Sequence, residues 1–215
     1  ADLNDYWNSL PYQPNTSTQL SADEQKGYTK HRYPQYIDHN TILSLCETLD
    51  KPNAFVVTDS ESGKRQHLAY TGAVSTRPSE VVGGRVWWTE YRRSTLFAQK
   101  VNTTLCYLDL DKQRPRTRQM GGRNILYPTP DDEGGLAWVE YSGDGIYTLR
   151  HERCDGTLRS HSLPFGQEVH SLAWDNLSRQ HYCIITGDEG MWIARLGEDG
   201  EMEQVTRPAY ITISN

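Results

Sequence analysis

The stretch Trp88-Thr89-Glu90-Tyr91 returns as Trp138-Val139-Glu140-Tyr141. Each copy opens on an indole, carries an acid two positions later and closes on a tyrosine. In an extended strand successive side chains point to opposite faces, so the Trp and the Glu of each copy share one face. Two such copies make internal repetition the first question about the fold, because self-similarity at a fixed period marks repeat architectures.

The repetition extends outward from these stretches. Apolar runs fall at Ile42–Leu45, Val86–Thr89, Leu136–Val139 and Tyr182–Ile185, at steps of roughly 45–50 residues. A proline stands upstream of the first three, at Pro34, Pro78 and Pro128. A second strand follows each run, at Ala54–Asp59, Thr104–Asp109, Ile146–Arg150 and Met191–Leu196. Polar turns come next, at Asp59–Gly63, Asp109–Lys112, Cys154–Gly156 and Glu198–Gly200. Glycine accepts positive φ and aspartate bonds its own backbone, so these turns fit hairpins. A charged strand closes each unit: Arg65–Tyr70, Arg114–Gln119, Leu158–Leu163 and Met202–Arg207. Charge and proline on an outer edge, as in Arg114-Pro115-Arg116-Thr117-Arg118, protect it from pairing with other chains.

Four short antiparallel strands in roughly 45 residues make a blade of a β-propeller. The expected fold is therefore all-β, with four full blades at about residues 31–73, 74–122, 123–166 and 167–207. The start of a fifth is expected at 208–215, and residues 1–30, with Pro11 and Pro14, read as an irregular lead-in. A β-sandwich also shows many short strands, but it does not require similar units with proline and aromatic landmarks in step. A piece of a larger ring is preferred over a ring of five blades closed by the two chain ends.

Composition narrows the function classes. Thirteen Tyr and six Trp against three Phe suit half-buried strand faces, where one end packs and the other meets water. A net charge of −6 argues against a nucleic-acid partner, which calls for a basic face. No apolar run approaches the ~18 residues of a membrane span. The chain opens on Ala1 rather than Met, so a removed leader or excision from a longer protein is expected. Cys46, Cys106 and Cys183 sit inside apolar strand patterns and read as small core residues.

No decisive catalytic motif is present. There is no G-x-S-x-G elbow and no H-E-x-x-H, since His151-Glu152 lacks its second histidine. Asp109/Asp111 and Asp131/Asp132/Glu133 lack the spacing of a calcium loop. No cofactor, metal or catalytic residue is expected. The Tyr91-Arg92-Arg93 extension is the candidate binding loop, because Tyr and Arg are typical interface anchors. Glu90 and Glu140 occupy equivalent repeat positions and are candidates for a place near a channel or for holding a neighbouring blade, the structural role being preferred.

Several stretches carry a resemblance. Tyr33-Pro34-Gln35-Tyr36-Ile37-Asp38, Tyr127-Pro128-Thr129-Pro130-Asp131-Asp132 and Leu172-Ala173-Trp174-Asp175-Asn176 are similar to the blade motif of the TolB-like, or PD40, family of WD40-like repeats. The turns Asp59…Gly63 and Asp155-Gly156 resemble that family's second turn. The likeness covers about residues 31–215 and departs from the pattern in having no intact Ser-Pro-Asp-Gly. It implies a bacterial periplasmic or cell-envelope protein. It further implies a non-catalytic binding or scaffolding module for a protein, a peptide or a glycan. The alternative it implies is an accessory propeller of a larger hydrolase, a peptidase, whose catalytic domain is absent from this chain.

Overall fold

A computed structural model describes residues 30–47, 52–92, 102–120, 124–197 and 201–209. The lead-in expected at residues 1–30 lies almost wholly outside them. The chain divides into two compact units, Ala1–Gly72 and Ala73–Asn215.

The first unit holds one antiparallel sheet, in the order β1 (Lys30–Tyr36), β2 (Thr41–Glu47), β3 (Asn53–Asp59), β4 (Arg65–Thr71). β2 is buried at four consecutive positions, Leu43 to Cys46, so both of its faces are covered. β4 is the charged strand, and its Tyr70 is exposed.

The second unit holds three sheets. The first contains β5 (Arg85–Arg92), β6 (Asn102–Asp109) and β7 (Arg116–Arg118). The next runs β8 (Asn124–Pro130), β9 (Leu136–Tyr141), β10 (Tyr147–Glu152), β11 (Leu158–Ser162). The last runs β12 (Glu168–Asp175), β13 (Gln180–Gly187), β14 (Gly190–Leu196), β15 (Met202–Gln204). Ala209 belongs to this last sheet through two backbone bonds with Met191. The remainder of the partial blade expected at 208–215 lies outside the described residues.

Each sheet is a blade, and the all-β, blade-by-blade reading of the repeats holds. One blade departs from four regular strands. Residues 73–82 follow β5 by separate bonds, from Ser75 N to Thr89 O and from Ser79 N to Trp87 O. Three residues there, Thr76, Arg77 and Pro78, stand opposite the single Trp88 of β5 and are looped out of the ladder. Pro78 has no N–H to give it, which favours such a break. The outer strands β7 and β15 are shorter than expected, β7 starting directly after Pro115.

Bulges recur on the first strand of the other blades. The pairing shifts between Arg32 and Gln35, between Leu126 and Thr129, and between Val169 and Ser171. At the first two the shift is made by Tyr-Pro, with Tyr33 and Tyr127 both at φ of 51°. A β-bulge re-aims side chains and bends the strand. The landmark prolines of the repeat thus mark bulges that turn residues away from the sheet.

In the second unit, apolar side chains weld blade to blade. Trp87, Leu105, Ile125, Leu136 and Trp138 form one cluster between the first two sheets of the unit. Val139, Leu149, Val169, Cys183, Ile185 and Ala194 belong to another between the last two. Covering the inner strands on both faces explains why they read as continuous apolar runs.

Candidate functional site

The repeated Trp-x-Glu motif makes the same bond twice. Trp88 Nε1 donates to Glu90 Oε1 at 2.8 Å, and Trp138 Nε1 donates to Glu140 Oε1 at 3.1 Å. Glu140 is 8% exposed, and its second oxygen accepts from Arg150 Nε on the adjacent strand at 3.1 Å. Both carboxylates therefore bind within their own sheets.

Tyr91, from the candidate binding loop, is half exposed at the end of β5. The backbone of Arg92 closes that strand, and Arg93 lies outside the described residues. Tyr91 has company that the sequence did not announce. Burial, then the charges of Glu168 and Tyr91, push the Tyr127 hydroxyl above its usual pKa. Tyr147 is raised by burial, then by Glu168, Tyr141 and Tyr127. The Tyr141 and Tyr147 rings lie 4.8 Å apart at 36°. Tyr127 and Tyr147 thus both feel the charge of Glu168 at the start of β12, with Tyr91 acting on Tyr127 and the Tyr141 ring lying against Tyr147. Tyr127 and Tyr147 also pack on the core cluster beneath, which fixes the positions of their rings.

Tyr127 also borders a cleft of about 220 Å³. The irregular 77–82 segment, β8 and β12 form it, with Arg77, Glu80, Pro128, His170 and Trp174 among its walls. The looped-out 76–78 segment and the Tyr127-Pro128 bulge supply two of those walls. Backbone irregularity and the cleft therefore coincide.

Deeper, the fold assembles a cluster that no spacing along the chain announces. Asp131, His151 and His181 each offer one ligand atom within 4.8 Å of the others. Asp131 sits in the β8–β9 turn, His151 on β10 and His181 on the next blade's β13. His151 Nε2 lies 3.2 Å from Asp131 Oδ2. His181 is 2% exposed, its Nε2 is 3.3 Å from the Thr129 carbonyl, and its ring packs on Trp174 at 4.7 Å. Burial, then the neighbouring His151, lowers its pKa to about 4, so the imidazole is neutral near pH 7. Asp131 titrates below its usual value: burial opposes ionisation, but the bond from His151 and the backbone N–H groups of Gly135 and Glu133 outweigh it.

No family model matches the chain, and no curated protein matches it. Solved structures do. TolB from Acinetobacter baumannii is similar with a TM-score of 0.56 at 13% identity, covering 78% of this chain and 41% of that one. The β-propeller domain of the trilobed protease from Pyrococcus furiosus is similar with a TM-score of 0.56 at 11% identity, covering 84% and 58%. A prolyl endopeptidase is similar with a TM-score of 0.58 at 10% identity, covering 84% and 29%. These likenesses show the fold, a β-propeller. This chain spans less than two thirds of the length of each.

Proposed function

We propose that this chain is a non-catalytic propeller module that binds a protein or peptide at its tyrosine-rich end. One observation carries the reading: Tyr91, Tyr127, Tyr147 and Tyr141 neighbour one another in turn, Tyr127 and Tyr147 feel the charge of Glu168, and Tyr91 is half exposed. Tyrosines present large rigid contact area at low entropic cost, and Tyr is enriched among residues that carry binding energy. A carboxylate with tyrosines in its neighbourhood suits an Arg or Lys side chain, held by charge and by the ring faces. A peptide carrying one basic residue beside an apolar one matches that chemistry. A glycan stacking on the same rings is the second ligand class, and nucleic acid does not suit a chain with net charge −6. The low-identity likeness to TolB supports a bacterial cell-envelope setting. The irregular lead-in over residues 1–30 belongs to the same proposal.

A second reading has its own support. The similar structures include a protease propeller domain and a prolyl endopeptidase. An accessory propeller beside a peptidase domain would use the same tyrosine-rich end to admit or position substrate.

Selection of a random peptide library against the immobilised chain tests the binding reading. The expected result is enrichment of peptides with a basic residue, whose affinity falls tenfold or more in Tyr91→Ala and Tyr147→Ala. No enrichment, or binding indifferent to both substitutions, rejects it. Robust turnover of peptide or ester substrates by this chain alone rejects the non-catalytic half.

A further inference from the structure

We propose that Asp131, His151 and His181 form a binding site for one borderline divalent transition-metal ion such as Zn²⁺, joining two adjacent blades. Two imidazoles and a carboxylate are ordinary zinc ligands, and three protein ligands leave one position for water. Their ligand atoms already lie within 4.8 Å of one another. Bonds of about 2.0–2.1 Å in tetrahedral geometry bring such atoms to roughly 3.3 Å, so closure asks for small side-chain movements.

The surroundings hold each ligand as a metal site requires. Asp131 Oδ1 accepts backbone N–H groups from Gly135 at 2.6 Å and Glu133 at 3.0 Å. That pins the carboxylate and leaves Oδ2 to face His151. A Cβ on residue 135 would collide with Oδ2 of Asp131, so the approach to that oxygen depends on glycine. The Thr129 carbonyl next to His181 Nε2 orients the second ring, as carbonyl partners do for metal-ligating histidines. His151 is the more exposed of the ion-paired ligands, its side chain 14% exposed against 5% for Asp131.

The ion exchanges a hydrogen bond for coordination. The His151–Asp131 contact at 3.2 Å opens, and both groups turn their lone pairs to the metal. Because His181 belongs to the neighbouring blade, coordination ties β13 to the β8–β9 turn and β10. The proposal is independent of the tyrosine-rich end and stands or falls apart from peptide binding.

The test is titration of the whole, chelator-stripped chain with Zn²⁺ by calorimetry, and with Co²⁺ by absorption spectroscopy. One equivalent of saturable binding is expected, with a Co²⁺ ligand-field spectrum of nitrogen and oxygen donors. His151→Gln and Asp131→Asn should each weaken binding tenfold or more, with folding checked by thermal melts. His151, the most exposed of the three, is the variant best placed to stay folded, and the wild-type titration needs no variant at all. No saturable binding in the wild-type chain overturns the proposal, as does binding unchanged in both variants. Thiolate charge-transfer bands overturn it too, because they place the ion at the exposed Cys154 beside the Gly134 turn.

Discussion

Trp138 donates its indole N–H to Glu140, 3.1 Å away on the same face of β9, and Arg150 holds the other carboxylate oxygen at the same distance. The three side chains form one polar unit across β9 and β10. Arg150 is tied further to the Ser160 hydroxyl on β11. Three neighbouring strands are thus connected by side chains as well as by the ladder.

Removing Glu140 strands two donors at once. An unsatisfied buried donor costs about 1–3 kcal/mol, and an unpaired buried charge more. Glu140→Ala is expected to lower stability by about 3 kcal/mol in chemical denaturation. Glu140→Gln keeps an acceptor for the indole and should cost about half as much. The corresponding Glu90→Ala, at a more exposed carboxylate, should cost about 1 kcal/mol. Equal small losses for all three would show that the unit does not hold the sheet.

Tyr127 adopts φ of 51°, a region where a side chain costs about 1–2 kcal/mol and glycine little. Tyr127→Ala and Tyr127→Gly both lose the ring's packing on the core. Only the glycine variant sheds the backbone strain, partly offset by its looser unfolded chain. The glycine variant is therefore expected to be the more stable by about 0.5–1 kcal/mol. The reverse order in parallel melts would remove strain from the account of the bulge.

Asp109 anchors a charged corner on β6. Its carboxylate meets Arg85 at 2.5 Å and Lys112 at 3.1 Å, and the Arg85 guanidinium lies 4.6 Å from the Tyr107 ring centre. The bond from Arg85, ahead of that from Lys112, holds the carboxyl below its ordinary value of 3.8. A carboxyl depressed in the folded state stabilises above its unfolded pKa and loses that contribution as pH falls through the folded one. Both bases are substantially exposed, so the gain is modest. Asp109→Asn should cost about 1 kcal/mol at pH 7. The gap between wild type and variant should narrow as pH drops below 3.8. A gap that stays constant to pH 2 would mean the charge is irrelevant.

The four cysteines divide sharply by accessibility. Cys46, Cys106 and Cys183 are 0–2% exposed, whereas Cys154 is open to solvent. Burial pushes the Cys183 thiol up to about 12 and Cys46 up to about 11. At pH 8 their thiolate fractions are then on the order of 10⁻⁴ and 10⁻³, and the thiolate is the reactive form. A disulfide reagent should therefore label one thiol per folded chain and all four in denaturant. Rapid labelling of more than one in the native state would contradict the packing of the blade cores.

The strands were legible because their signals are local. Period-two patterning, Asp/Gly turns and recurrent apolar runs lie within a few residues of one another. The charged last strands were readable as edges for the same reason. The irregular 73–82 segment was not, since Ser75 and Ser79 look like ordinary strand residues until their bonds to Thr89 and Trp87 are traced. Tyr91 is legible from its residue type and its place beside a long connection. Nothing near it in the chain pointed to Tyr127, Tyr147 or Glu168.

What the sequence determined by itself is the blade: where strands start, which faces are apolar, which edge carries charge, and that Trp and Glu two apart share a face. Those properties follow from backbone geometry and side-chain alternation, which act over short stretches of chain. Only the tertiary structure decided which residues meet across blades. Tyr127 and Tyr147 come within the field of Glu168, and His181 comes to Asp131 and His151, because neighbouring sheets pack their apolar faces together. Packing of that kind joins residues tens of positions apart, and no local pattern records it.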